Sequence, residues 1–371
     1  MTHEPRPGRD KGRRSGVLSR AAGPLLLTAV VLMGGCDAIT GGGGSEPVSV
    51  MTQNVYLGAD IFKVTQAQDP SQVPVLVAQA WATVQATDFP ARAGRLAAQI
   101  AQAGPDLVGL QEVSLYRLQS PGDLAQGGLV SATDTVLDYL KLLMDSLSVL
   151  GAQYQVVIES NNADVEMPMA TATGCCDDIR MTDRDVILAR SGVQTSDART
   201  GIYTDAYTVD LGGLSIPFRR SWESARVDIG GKKIRFVNTH LETEANPTIQ
   251  EAQASELVNL LQGESLPVLL VGDFNSAADG SNTTSHNQIQ QAGYTDTWDA
   301  VGSGAGLTCC HQEDLTDATA DFYERIDIVF FSNNDFTGNT IRVVGAQPAD
   351  RTAGGLWPSD HAGVAATLEI K

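Results

Sequence analysis

The chain has 371 residues, of which 42% are hydrophobic, and its formal net charge at pH 7 is −19. That length can bury a large core and would permit two domains. An acidic surface repels polyanions at long range, so the charge disfavours, without excluding, a nuclease that holds DNA mainly through Lys and Arg contacts to phosphates.

The first 35 residues have the layout of an export signal. Six Lys or Arg and two acids accompany an apolar run at 23–33, which is short for a membrane span, and Gly34-Gly35-Cys36 follows. A Cys after small residues is typical of bacterial lipoproteins. We therefore predict a signal peptide at 1–35 and a lipid on Cys36 that anchors the exported protein to the extracytoplasmic face of the cell membrane. Removal of the signal would change the net charge to −23.

Two features of this segment leave alternatives open. Met33 stands where lipoproteins usually have Leu, and Arg13-Arg14 would also suit twin-arginine export. Cys36 could instead be an ordinary thiol. Residues 36–47, which include four consecutive glycines, are predicted to be a flexible tether, and residues 48–371 a folded domain.

Period-two alternation, apolar runs and turn residues predict the elements of this domain. Gly230-Gly231 predicts a hairpin, and Gly104-Pro105 ends a helical region. Strands alternating with helices and hairpins predict one α/β or α+β domain with mixed sheets. The predicted strands are 48–54, 106–112, 154–159, 185–190, 226–229, 232–237, 267–272 and 327–331; the predicted helices lie within 60–103, 134–150 and 248–262; and 113–134 and 160–183 are predicted surface loops.

The other four cysteines form two adjacent pairs, Cys175-Cys176 and Cys309-Cys310. Because a bond between neighbouring residues is strained, we expect two disulfides that join one pair to the other, in an undetermined connectivity. Zinc is the alternative, since His311 follows Cys310, although zinc sites usually space their cysteines by two to four residues. Reduced thiols or bonds within each pair are further alternatives.

Acids, amides and imidazoles recur where predicted strands end. Strand ends of such a domain meet at one rim, where a site is assembled from distant residues. The carboxylates suit Mg²⁺ or Mn²⁺, and a divalent metal with carboxylates and two imidazoles suits the cleavage of phosphate esters. The residues concerned are Asn54, Gln111, Glu112, Asn238, His240, Asp273, Asn275, Asp327, Asp360 and His361.

This ordered set resembles the endonuclease/exonuclease/phosphatase superfamily of DNase I-like metal-dependent phosphohydrolases, over about residues 49–369. The resemblance is most specific in Gly272–Ser276 and Ser359–His361, and Gln111-Glu112 and Asn238–Leu241 add to it. It implies an α+β fold, the DNase I-like four-layer sandwich, in which two mixed β-sheets pack face to face with helices outside.

The resemblance also implies roles for individual residues. Glu112 would be the main Mg²⁺ ligand, assisted by Asn54, with Asp360 near the metal or at a second metal position. Asp273 and Asn275 would position the attacking water and the phosphate. His361, oriented by Asp327, would be the catalytic imidazole, and His240 would hydrogen-bond the scissile phosphate.

Other assignments are less direct. Arg220, or its neighbour Arg219, is the candidate phosphate-binding arginine. Asp183-Arg184-Asp185 departs from the Gly-Asn pair that relatives commonly show. Asp327 could instead pair with Arg325. We interpret His286 as a surface residue of a Ser/Thr/Asn-rich loop.

These observations predict an exported, lipid-anchored, Mg²⁺-dependent hydrolase of phosphate esters, most simply a phosphodiesterase in which water attacks phosphorus directly. Mn²⁺ is the alternative ion, and no obligate protein partner is inferred. The substrate would be a nucleic acid, a phospholipid head group or a small phosphodiester. Sphingomyelinase-like or inositol-phosphate phosphatase-like activity is the alternative, and a noncatalytic binding lipoprotein is the second.

Overall fold

The computed structural model describes residues 46–211 and 214–371. The predicted signal peptide, Cys36 and most of the predicted tether lie outside these residues. Glu46 and Pro47, which we had assigned to the tether, are instead the first residues of a strand that pairs with the C-terminal strand. Among the described residues, no helix has the length and apolar character needed to cross a membrane.

Within the described residues the chain forms sixteen strands and six α-helices. The strands are β1 (Glu46–Asn54), β2 (Leu107–Gln111), β3 (Leu115–Gln119), β4 (Asp134–Asp138), β5 (Tyr154–Thr171), β6 (Gly174–Arg190), β7 (Gln194–Ile202), β8 (Tyr207–Leu211), β9 (Leu214–Phe218), β10 (Ser221–Ile229), β11 (Lys232–His240), β12 (Val268–Asp273), β13 (Tyr294–Asp296), β14 (Asp327–Ser332), β15 (Phe336–Val344) and β16 (Gly363–Ile370). The helices are α1 (Val73–Ala86), α2 (Phe89–Ala103), α3 (Tyr139–Val149), α4 (Pro247–Leu261), α5 (Ser285–Gln291) and α6 (Thr297–Val301).

The strands form two large mixed sheets and one separate hairpin. Sheet A has the order β15-β16-β1-β2-β6-β3-β4, with β5 also paired to β6. Sheet B has the order β13-β14-β12-β11-β10-β7, and β8 pairs with β9. β1 and β2 run parallel, as do β11 and β12, while their other neighbours run antiparallel. The parallel pairs matter most for function, because their carboxyl ends fall at one edge.

Apolar side chains hold four layers together. Val50 and Ile187 of sheet A pack with Phe236 and Val271 of sheet B in one buried cluster between the sheets. The helices α1, α2 and α3 cover the outer face of sheet A, and α4 and α5 cover that of sheet B. The predicted α+β four-layer sandwich is therefore confirmed.

Helix α2 shows how local sequence fixes the helical layer. Asp88 caps its first turn by accepting the Ala91 N–H, and Gly104 ends it at a φ of +59°. Its buried face includes Leu96 and Ile100, and it carries the fully buried Arg92 inward toward sheet A.

Several element boundaries differ from the prediction. Residues 160–183, expected to be a surface loop, belong mostly to the long β5–β6 hairpin, and 115–119 pair with it as β3. Asp134 to Asp138 form β4 rather than a helix, because they pair with β3, and Asp138 then caps α3. The helical region before Gly104 is divided in two at 87–88. α4 begins at Pro247, one residue before the predicted start.

Candidate active site

The two parallel strand pairs end at the same edge of the sandwich. β1 and β2 end at Asn54 and Gln111, and β11 and β12 end at His240 and Asp273. The Asn54 side-chain amide donates to Asp273 Oδ2 at 3.0 Å, so the two sheets are joined directly at this edge. All four side chains are buried.

A polar network beneath this edge also joins the sheets. Gln111 donates to Asn238 Oδ1 at 2.6 Å, and the Asn238 amide donates to Glu223 Oε2 at 2.9 Å. Gly109 makes room for it, since a Cβ at that position would overlap the Asn238 side chain. The network therefore fixes the separation of the strand ends that carry the site.

His361, just before β16, is held by the carboxylate that starts β14. Its Nδ1 lies 2.9 Å from Asp327 Oδ2 and 3.8 Å from Asp273 Oδ2. Burial disfavours the charged ring, but Asp327, Asp273 and Asp360 together hold the pKa of His361 well above its usual range. The imidazole is thus a fixed, protonated group. Arg325 does not pair with Asp327; it forms ion pairs with Asp296 and Asp299 instead.

Asp273 and Asn275 follow β12. Asp273 Oδ1 accepts the Asn275 N–H at 2.9 Å, which holds Asn275 in the left-handed region at a φ of +48°. Asn275 Nδ2 is shared between the Leu241 carbonyl at 3.0 Å and His240 Nε2 at 3.1 Å. Burial raises the pKa of Asp273 to about 6. A buried carboxylate of this kind is suited to hold and deprotonate water.

His240 lies between Asn275 and an arginine. Arg220, which precedes β10, has Nη1 3.0 Å from His240 Nδ1. Burial, then the charges of Arg220 and His361, lower the pKa of His240 well below its usual range, so this ring is neutral. Arg220 is 9% exposed, whereas Arg219 is exposed on the surface. The two imidazoles of the site therefore differ in charge.

Glu112 follows β2 in a strained backbone conformation. Its φ is +61°, and its Oε2 accepts the Leu57 N–H at 2.7 Å. Burial, then the charges of Asp360 and Asp183, raise the pKa of Glu112 to about 7. Left-handed backbone is costly for residues other than Gly, and it persists where the surroundings enforce it, commonly at functional sites.

Comparison with known proteins agrees with this geometry. A family model described as the Endonuclease/Exonuclease/phosphatase family matches residues 51–361. The chain belongs to this family. Its members hydrolyse phosphate esters. A comparison with curated protein sequences gives no significant match.

Solved structures of endonuclease/exonuclease/phosphatase proteins share the fold at low identity. A family protein from Bacteroides thetaiotaomicron is 15% identical with a TM-score of 0.58, covering 88% of this chain and 99% of its own. A mannosyl-6-phosphatase from the same organism is 17% identical, with a TM-score of 0.54 and coverage of 86% and 99%. A humanized D. rerio TDP2 carrying 14 mutations is 16% identical, with a TM-score of 0.52 and coverage of 87% and 98%.

All the candidate residues lie at this edge of the family's sandwich, but their roles are not established by position alone. Among the described residues, Asp273, Asp327 and His361 form one of three groups whose potential ligand atoms all lie within 4.8 Å of one another. We expected metal binding instead at Glu112, Asn54 and Asp360. Asn54 Oδ1 accepts the Tyr56 N–H at 2.9 Å, so that oxygen already has one partner. The assignments of Glu112, Asn54 and Asp360 to metal remain predictions.

Some buried carboxylates at the site were not among the candidates. Asp183 and Asp185 of β6 share the Asn162 amide, at 3.3 and 2.9 Å, and Glu223 of β10 accepts the Ser221 hydroxyl at 2.6 Å. Burial, then Glu223 and Asp183, raise the pKa of Asp185 well above its usual range. For Asp183 and Asp185, the sequence signal was the departure of Asp183-Arg184-Asp185 from the Gly-Asn pair that relatives commonly show. The burial of Glu223 is a tertiary property that its sequence context does not show.

Arg92 is a further buried residue that the sequence did not single out. Its Nη1 donates to the Val55 carbonyl at 2.8 Å and to the Pro358 carbonyl at 2.9 Å. It thereby joins the segment after β1 to the segment that carries Asp360. We regard Arg92 as a positioning residue.

The chemistry of the donor set fits a divalent cation. Several carboxylates are buried together, and one oxygen each of Asp183, Asp185 and Asp327 has no hydrogen-bond partner. Burial raises the pKa of both Glu112 and Asp185, and the charges of neighbouring carboxylates raise each pKa further, so negative charge is concentrated here. Hard oxygen atoms with this charge are the ligands that Mg²⁺ and Mn²⁺ prefer.

Two expectations about cysteine and histidine are wrong. The structure joins Cys175 to Cys176 and Cys309 to Cys310, because the two pairs lie in different places: one near the β5–β6 turn and the other against the catalytic segment. His286 is buried, not at the surface, since α5 places it 2.9 Å from Asp296.

Proposed function

We propose that the protein is a divalent-metal-dependent phosphodiesterase in which water attacks phosphorus directly. The observation that carries the proposal is the Asp327–His361 pair, with Nδ1 and Oδ2 2.9 Å apart beside Asp273. A protonated imidazole held in this way is suited to protonate the alkoxide that leaves a diester.

The chain's residues divide the reaction between them. Asp273, with Asn275 bonded to it, holds the water and accepts its proton. Neutral His240 and charged Arg220 bind the nonbridging oxygens of the phosphate. His361 donates its proton to the leaving oxygen, and Asp327 keeps the ring oriented and charged.

Mg²⁺ fits the remaining acidic groups, with Mn²⁺ as the alternative ion. Glu112, Asn54 and Asp360 would hold it, and Asp360 lies close enough for its charge to raise the pKa of Glu112. When bound, the ion offsets charge on the phosphate. Burial raises the pKa of Glu112 and the charges of Asp360 and Asp183 raise it further, and a bound cation would offset that repulsion.

A specific observation favours an apolar phosphodiester, such as a lipid head-group ester, as a second candidate. An apolar cleft, open to solvent, is lined by α1, the β5–β6 hairpin and β8–β9, and includes Trp81 and Tyr116. The Tyr116 hydroxyl donates to the Leu57 carbonyl at 2.8 Å, and the Leu57 N–H donates to Glu112. Leu57 therefore connects Tyr116, which lines the cleft, to Glu112, the predicted metal ligand.

The test is hydrolysis by the folded protein with Mg²⁺, Mn²⁺ or EDTA. We expect bis(p-nitrophenyl) phosphate to be cleaved faster than p-nitrophenyl phosphate, and EDTA to abolish turnover. Plasmid DNA, sphingomyelin and phosphoinositides then identify the substrate class. Faster hydrolysis of p-nitrophenyl phosphate, the monoester, would identify the protein as a phosphatase instead. The proposal would be contradicted if metal-replete protein hydrolysed none of these esters.

If the predicted lipid on Cys36 is present, the enzyme would act at the extracytoplasmic face of the membrane. Mass spectrometry of the protein from membranes tests this directly. A mature chain that begins at Cys36 with an added lipid mass is expected. A chain that keeps residues 1–35 would contradict it.

A further inference from the structure

The disulfide Cys309–Cys310 lies against the imidazole of His361. Cys310 Sγ is 3.8 Å from His361 Nε2, the nitrogen opposite the one that faces Asp327. One potential ligand atom from each of Cys309, Cys310 and His361 lies within 4.8 Å of the others. The Cys310 sulfur therefore lies beside the nitrogen of His361 that does not face Asp327.

Main-chain bonds hold the cysteines in this place. Cys309 forms β-bridges with both Glu324 and His361. On either side, the Ala362 N–H donates to the Thr308 carbonyl at 2.8 Å and the His311 N–H donates to the Asp360 carbonyl at 2.9 Å. These main-chain bonds hold the cysteine segment against the segment that carries His361, so the position of the sulfurs does not depend on the disulfide alone.

His311, the imidazole next to the cysteines in sequence, faces elsewhere. Its Nδ1 lies 3.2 Å from Asp317 Oδ2, and its ring stacks on Trp357 with centroids 4.3 Å apart. The histidine available to the sulfurs is therefore His361.

We propose that reduction of Cys309–Cys310 creates a site for a soft divalent cation, Zn²⁺, formed by the two thiolates and His361 Nε2. Thiolate and imidazole ligands select zinc over the hard ions Mg²⁺ and Mn²⁺. Three protein ligands leave a fourth position for water. Zinc on Nε2 would remove the proton that His361 donates, so the reduced, zinc-bound protein would be inactive.

The chemistry balances with a dithiol reductant. One reductant sulfur attacks the partly exposed Cys310, the Cys309–Cys310 bond breaks, and the second reductant sulfur closes the reductant's own disulfide, leaving two protein thiols. Binding of Zn²⁺ then releases both thiol protons and the Nε2 proton of His361 to solvent. Reoxidation, with loss of zinc, would restore the free imidazole.

The effect on turnover rests on the proposed role of His361, but the metal site does not. The first measurement is therefore optical: the protein is reduced with a dithiol, desalted without oxygen and titrated with Co²⁺. We expect one Co²⁺ per chain and a sulfur-to-cobalt charge-transfer band, absent from the oxidised protein and from Cys309→Ser/Cys310→Ser. The matched control, Cys175→Ser/Cys176→Ser, removes the other vicinal pair and should keep the band.

The second measurement is Zn²⁺ inhibition of diester hydrolysis at saturating Mg²⁺. The reduced protein should be inhibited at a Zn²⁺ concentration about 100-fold below that needed for the oxidised protein or for Cys310→Ser, since losing a ligand costs at least what losing an outer partner costs. Thermal melting confirms that the variants are folded. Equal inhibition of oxidised and reduced protein, or a band lost only with Cys175 and Cys176, would overturn the proposal. A protein that shows the band but hydrolyses no diester retains the metal site and refutes only the proposed activity.

Discussion

Asp273 and Asp327 stand directly opposite each other on β12 and β14, and both carboxylates face Nδ1 of His361, at 3.8 and 2.9 Å. Two acids at one antiparallel register position repel each other unless a cation lies between them. The protonated imidazole is that cation. The pairing gives the two acids different tasks, because Asp327 has the hydrogen bond to the ring and Asp273 the bonds from Asn54 and Asn275.

Replacing His361 tests the proton donor. His361→Ala should reduce kcat for bis(p-nitrophenyl) phosphate about 100- to 10,000-fold, because the leaving oxygen loses its acid. His286→Ala is the matched control: that ring is also buried but bonds to Asp296, so the melting temperature should fall while kcat stays near wild type. Undiminished turnover in folded, metal-replete His361→Ala would contradict the assignment of His361 as the proton donor.

Asp327→Asn tests the positioning residue. Asp327 raises the pKa of His361, so its neutral replacement should lower that pKa and move the alkaline limit of kcat to lower pH. The limit moves to lower pH because the active form of His361 must be protonated, and a lower pKa means that the ring loses this proton at lower pH. The pH–rate profile and the imidazole NMR titration measure the same shift. An unchanged alkaline limit with a lower kcat would assign Asp327 a structural role only.

Arg220→Lys tests phosphate binding. Arg220 is buried between His240, Asp183 and Glu242, and lysine keeps the charge but loses the planar, two-pronged donor. We expect kcat/KM to fall about 10- to 100-fold, the loss of one or two charged hydrogen bonds. Arg219→Lys, at the exposed neighbouring position, should change it little. Equal effects from both would argue for long-range attraction rather than contact.

Gly109→Ala tests the connection between the sheets. The new Cβ would overlap Asn238, so the free energy of unfolding should fall by about 1–3 kcal/mol. Gly94→Ala in α2 is the control, because its Cβ would meet nothing within 4 Å; it should stabilise by roughly 0.5–1 kcal/mol. Urea unfolding measures both. If the two variants were equally stable, the close approach at Gly109 would not constrain the sheets.

Asp296→Asn tests the buried ion pairs that Asp296 forms with Arg325 and His286. His286 is the residue that we expected at the surface. Although burial acts in the opposite direction, the hydrogen bond from His286 and the charge of Arg325 hold the pKa of Asp296 below its usual range. A lowered folded-state pKa gives stability that is complete above the unfolded-state pKa and is lost as pH falls through the folded-state pKa. Asp296→Asn should therefore cost about 3 kcal/mol at pH 7 and less in strong acid. A pH-independent difference between variant and wild type would refute the ion pair.

The edge of the sandwich could be predicted from sequence because its residues follow apolar runs. Asn54, Glu112 and Asp273 each come at or directly after the end of such a run, so the local pattern fixes both the strand and its terminal side chain. Asp327 begins its strand, yet the antiparallel pairing brings it to the same edge. The four-layer fold follows from the family resemblance that these residues carry.

What the sequence did not reveal depends on long-range contacts. Residues 160–183 are polar and look like a loop, and they become strand because each half of the hairpin supplies the other's hydrogen bonds. The burial of Asp185, Glu223 and His286 depends on partners distant in sequence. The cysteine pairing was wrong for the same reason, since the positions of the two pairs are set by different sheets and loops.

β1 runs from Glu46 to Asn54 and pairs with the last strand, so the chain enters the domain at one end of this strand and the catalytic edge lies at the other. Nine extended residues separate these ends by roughly 26 Å. A domain attached through its N-terminus would therefore be joined on the side away from the catalytic edge, so the attachment would not lie at the strand ends that carry the site.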